Sequence, residues 1–110
     1  MTLVELMEEC CGLNATTFQQ IAKCKTFIGS EIEMAYTIRD IVDTMIFLNF
    51  GDYGPEKMYY FSFHINYDNK KFGDQLLGYS KGQLVTIKAK LKSVEYSAPN
   101  RIYFDMLSIN

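Results

Sequence analysis

The stretch "QLVTIKAKLKSVEYS" (83–97) decides the reading of this chain. Val85, Ile87, Ala89 and Leu91 alternate with Thr86, Lys88, Lys90 and Lys92. A period of two puts the apolar side chains on one face of a strand and the basic ones on the other. After Ser93 the parity flips to Val94 and Tyr96, as a β-bulge or sharp bend produces. Ser97 to Asn100, with Pro99, then turns the chain into a further strand, "RIYFDMLSI" (101–109).

Upstream, "NYDNKKFGDQLLGYSKG" (66–82) carries Phe72, Leu76 and Leu77 at helical spacing, with Gly78 and Gly82 as breakers, and predicts a short helix. "MIFLNF" (45–50) and "KMYYFSFHI" (57–65) predict two strands joined by a loop of Gly51, Asp52, Gly54 and Pro55. In "EIEMAYTIRD" (31–40), Ile32, Met34, Tyr36 and Ile38 face one way, and Glu31, Glu33, Ala35, Thr37 and Arg39 the other. That predicts a half-buried strand. Thr2 and Glu5 have the spacing of a capping box at the head of a helix whose apolar face is Leu3, Leu6, Met7, Cys10 and Leu13. Asn14 ends it. Thr16 or Thr17 caps a second short helix carrying Phe18, Ile21 and Ala22 on one side, and Gly29 closes the helical preface.

The expected order is therefore two helices, three strands, a short helix and two strands. Five strands with a helix between the third and fourth is the layout of the Greek-key barrel called the OB-fold, a mainly β architecture. One domain is expected over residues 1–110, with a helical segment at 1–26 and the barrel at 27–110.

Composition narrows the function classes. At 110 residues, 48% of them apolar and only two proline, the chain is long and apolar enough for a core without staples. No apolar run reaches the length of a membrane span, and "MTLVELMEECC" is acidic and patterned, unlike a signal peptide, so a cytoplasmic compartment and no membrane partner are expected. The three cysteines form no CxxC pair and His64 is the only histidine, so no metal site and no cofactor are expected. No activated nucleophile or phosphate-binding glycine loop points to catalysis. The reading is a binding protein rather than an enzyme. Net charge is −2, but it is uneven. Residues 1–56 hold nine acids and three bases, residues 57–110 four acids and eight bases.

"FLNFGDYGPEKMYYFSFHI" (47–65) resembles the strand 2–loop–strand 3 segment of small nucleic-acid-binding OB-fold domains of the anticodon-binding kind. "LLGYSKGQLVTIKAKLKSVE" (76–95) is similar to their fourth strand, with Gly82, Val85, Ile87, Ala89 and Leu91 in place, and "FIGSEIEMAYTIRDI" (27–41) looks like their opening strand. Ala35 and Ala89 stand where such domains often have glycine. The resemblance covers residues 27–109 and implies recognition of single-stranded DNA or RNA.

In an OB barrel the oligonucleotide surface is the outer face of strands 2 and 3, framed by the loops joining strands 1–2 and 4–5. Parity places Tyr59, Phe61, Phe63 and Ile65 inside with Ile46, Leu48 and Phe50. Phe47, Asn49, Tyr60, Ser62 and His64 are left outside, as stacking rings with hydrogen-bonding groups between them. Phe47 and Tyr60 are equally read as the apolar surface on which the N-terminal helices dock. Lys88, Lys90 and Lys92 are read either as phosphate contacts or as cross-strand partners of Glu31 and Glu33. Arg39, Lys57 and Arg101 lie nearer the expected cleft and are the preferred phosphate contacts. Two function classes follow: a weak single-stranded nucleic-acid binder, or a module that self-associates or binds a protein partner through the barrel or the acidic helices.

Overall fold

The computed structural model describes residues 1–12 and 14–110. Leu13, assigned above to the apolar face of the first helix, lies outside the described residues. The elements are α1 (Leu3–Cys10), α2 (Thr17–Lys25), β1 (Glu31–Val42), β2 (Met45–Asn49), α3 (Pro55–Tyr59), β3 (Phe61–Asn66), α4 (Asn69–Leu76), β4 (Leu84–Glu95) and β5 (Asn100–Ile109). The strands close into a barrel in the order β1-β2-β3-β5-β4, an arrangement compatible with an OB-fold. β3 and β5 run parallel, and every other neighbouring pair is antiparallel.

The alternation seen in the sequence is what closes the ring. Val85, Ile87, Ala89 and Leu91 of β4 are buried, and the inward set resumes at Val94. The parity flip is a bulge: the β4–β5 register shifts between Leu91 and Ser93, with a second shift between Lys88 and Ala89. Such bulges add twist and let a long strand bend around the barrel. Ile32, Met34 and Ile38 of β1, Ile46 and Leu48 of β2, Phe61, Phe63 and Ile65 of β3, and Ile102, Phe104 and Met106 of β5 complete the core. A run of rings crosses it. Tyr36 meets Phe50 edge-on at 4.7 Å, Phe50 meets Phe63 at 5.4 Å, and Phe63 lies 6.3 Å from Phe104.

Helices occupy both ends. At the end where β1 turns into β2, α4 buries Phe72 and Leu76, and Gln75 donates to the Ile109 carbonyl at 2.9 Å. Leu77, placed above on the same apolar face, is 86% exposed, because α4 ends at Leu76. At the other end α1 buries Leu3, Leu6, Met7 and Cys10. Its capping box forms as read, Thr2 Oγ1 accepting from the Glu5 amide and Glu5 from the Thr2 amide. That second bond holds the Glu5 carboxyl below its ordinary value. Thr16 caps α2 in the same way. The face of α2 differs from the reading. Ile21 and Cys24 are buried, whereas Ala22 and Phe18 face solvent, Phe18 at 77% exposure.

The larger correction concerns the third strand. The sequence reading ran it from Lys57 to Ile65, but residues 55–59 are the helix α3 and the strand begins at Phe61. Gly54 forms the N-cap and Pro55 takes the first position, where its fixed φ and missing N–H suit a helix start. Tyr60 closes α3 in the left-handed region, φ 57°, and redirects the chain into β3. Tyr59 is therefore not an inward strand residue. It sits half-buried on α3, packed against the margin of the core.

Candidate functional site

α3 changes how β2 and β3 meet. They pair only at Met45 with Asn66 and at Ile46 with Ile65, and then diverge. In a continued ladder Phe63 would face Leu48. Instead the Phe63 amide donates to Glu56 Oε2 on α3 at 3.1 Å. A buried backbone donor must find a partner, and the first turn of α3 supplies one. An open groove of about 480 Å³ lies against α3, lined by Glu56, Lys57, Tyr60, Phe61, Ser62 and Pro99.

Beside that groove lies the outer face of β3 and β5. Parallel pairing sets Ser62 beside Arg101 and His64 beside Tyr103. The His64 and Tyr103 rings stack with centroids 5.0 Å apart and planes 25° apart. Ser62 Oγ and His64 Nε2 are hydrogen-bonded at 2.9 Å. The Tyr103 hydroxyl donates to Glu95 Oε2 at 3.4 Å, so the carboxylate opposite Arg101 in the β4–β5 register is engaged with a phenol. Burial holds the His64 imidazole below its ordinary value, and the Arg101 charge pushes the same way, while Glu56 and Glu95 oppose them. The imidazole is thus neutral at pH 7 and presents a flat, stacked, uncharged surface.

The residues singled out from sequence fall into three places. Lys57, Tyr60, Ser62, His64 and Arg101 come together around the groove and the β3–β5 face. Tyr60 reaches it from the end of α3 rather than from the strand, and is 61% exposed. Phe47 and Arg39 form a pair of their own on the β1–β2 ladder, the guanidinium 5.2 Å from the ring centroid. Phe47 is half-buried, with a ring already in contact with a cation. Asn49 Oδ1 accepts from the Gly51 amide at 3.0 Å and shapes the loop after β2. The third place is β4. Lys88 lies opposite Glu33, and Lys90 opposite both Glu31 and Asp105. Lys92 reaches Asp105 at 4.0 Å, the one ion pair within that distance among the described residues. Acids therefore flank the whole stripe.

Among the described residues, α1 packs against β1, α2 and α3, and α2 against α1 and β4, with no comparable packing of either helix on β3 or β5. The first residues of the chain extend the sheet, the Glu33 amide donating to the Met1 carbonyl at 2.8 Å. Of the three free thiols, Cys10 on α1 and Cys24 on α2 are buried and Cys11 is half-buried. The neighbouring Cys10 thiol together with burial raises the Cys24 thiol far above its ordinary value. Burial pushes Cys11 up to about 11. No helix among the described residues is long and apolar enough to cross a membrane.

Two groups escaped the sequence reading. Tyr103 needed the knowledge that β5 lies beside β3, a pairing between strands far apart in sequence. Glu56 was hidden because its segment was read as a strand, although Gly54–Pro55 ahead of it is a helix-start signal. Comparison of the chain with protein-family models, with curated proteins and with solved structures finds no match. The functional reading therefore stands on this geometry.

Proposed function

We propose that this chain is a small OB-type module that binds single-stranded nucleic acid weakly, across the β3–β5 face and the groove beside α3. One observation carries the reading: exposed Tyr60 and Lys57 line one open groove, and the stacked His64–Tyr103 pair and Arg101 lie on the β3–β5 face beside it. Aromatic faces accept bases of any sequence, and cations beside them follow the phosphates. The acid-flanked lysines of β4 play little part. The test is titration of labelled single-stranded DNA and RNA at two salt concentrations. Affinity should fall as salt rises, and Tyr60→Asn should weaken it further. Asn suits the left-handed conformation at this position, so the fold is retained. No binding at low salt would overturn the proposal.

A second reading, self-association or capture of a protein partner through the N-terminal helices, is favoured by Phe18, which stands exposed on α2. Light scattering, with and without Phe18→Ser, tests it. A mass above that of one chain, lost in the variant, would favour it.

A further inference from the structure

Glu56 is an odd lining for a groove that takes a polyanion. One carboxylate oxygen is fixed by the Phe63 amide, which anchors the side chain against β3. Among the described residues the other oxygen, Oε1, accepts no hydrogen bond, and the side chain lines the groove together with Tyr60 and Ser62. An ionised carboxylate can only accept. In the groove it shares with Tyr60, the free oxygen is an acceptor for the edge of a base bound there.

We infer that this groove is a base pocket that prefers guanine, an inference that rests on the nucleic-acid reading above. Guanine presents two donors side by side on its Watson–Crick edge, N1–H and the N2 amino group. One carboxylate accepts both. Adenine and cytosine each offer a single amino donor next to a ring nitrogen acceptor, and thymine or uracil one N–H between two carbonyls. Each of those bases can give Glu56 only one donor and turns an acceptor toward the carboxylate beside it, so like partial charges face each other. Single-stranded ligands expose this edge, because their bases are unpaired and splayed. Tyr60 supplies the stacking face, Pro99 lines the same groove, and Lys57 stands beside it for the adjoining phosphate.

The experiment is fluorescence anisotropy on nine-nucleotide thymidine tracts with a single central guanine, adenine, cytosine or thymine. The guanine tract should bind about tenfold tighter than the others, the scale of one bidentate base contact. Glu56→Gln keeps an oxygen for the Phe63 amide but turns an amino group into the groove. It should abolish the guanine advantage, read as the ratio of guanine-tract to thymidine-tract affinity falling to about 1. Tyr60→Asn should reduce binding to all four tracts. Equal binding of the four tracts by the unaltered protein overturns the inference and leaves the nucleic-acid reading standing. A guanine advantage that survives Glu56→Gln also overturns it. Failure of every tract to bind overturns both.

Discussion

β4 and β3 each turn a polar stripe to solvent, and the neighbours of those stripes set them apart. On β4, Lys88 and Lys90 lie opposite Glu33 and Glu31, and Lys92 reaches Asp105. The positive stripe that stands out in the sequence is met by acids on both neighbouring strands. On β3, Ser62 and His64 lie beside Arg101 and Tyr103 of β5, and the ladder to β2 is interrupted by Glu56 of α3. The groove of about 480 Å³ lies against α3, whereas at the stripe only Lys92 borders a pocket, a smaller one of about 150 Å³ shared with Glu95 and Tyr103. A run of charge in sequence is thus a poor guide to a binding face. What surrounds it in the sheet decides whether its field reaches a ligand.

The comparison can be broken at several points. The largest effect should come from the core that supports both faces. Phe63, buried between Phe50 and Phe104, anchors β3, and Phe63→Ala should cost about 3–5 kcal/mol in chemical denaturation. Binding should then be lost with the fold. Next, Tyr60→Asn should weaken nucleic-acid affinity by about 1–3 kcal/mol, the scale of one stacked base, with no loss of stability. Lys90→Ala, by contrast, should leave affinity nearly unchanged. Third, Arg101→Ala should reduce the slope of log affinity against log salt by about 1, whereas Lys88→Ala should not. An equal reduction from Lys88→Ala would erase the distinction between the faces.

A smaller effect is expected from pH. Burial holds folded His64 below its ordinary value of 6.5, so the unfolded chain takes up that proton first as pH falls. The stability tied to neutral His64 is present above pH 6.5 and is lost as pH drops through the lower folded value. His64→Gln should flatten this part of the stability profile, read by thermal melts between neutral and mildly acid pH. Smallest of all, Asp105→Asn removes the one close partner of Lys92. Both groups are exposed, so stability should change by less than about 1 kcal/mol.

The barrel was legible where local pattern and tertiary burial agree. The alternation of β1, the parity flip in β4 and the Thr2–Glu5 capping box are short-range signals, and each survives in the fold. The register that sets Glu31 and Glu33 opposite the β4 lysines was also readable, because adjacency of strands 1 and 4 follows from the barrel's strand order. The site was less so. Residues 55–60 are rich in aromatics that suit strands, and a five-residue helix is too short for a period to declare itself. Its start is marked only by Gly54 and Pro55. Phe47 looked free by parity, but Arg39 reaches it from a bulge position between Ile38 and Asp40, a geometry no alternation encodes. Tyr103 sits in an ordinary strand and gains its place only from the parallel pairing with β3.

Mapping of backbone amide shifts as a short single-stranded oligonucleotide is added bears most directly on the central claim. The account expects changes concentrated at Lys57, Tyr60, Ser62, His64, Arg101 and Tyr103, with Lys88, Lys90 and Lys92 little affected. Changes centred on the β4 lysines or on α1 and α2, with the β3–β5 face silent, would contradict it.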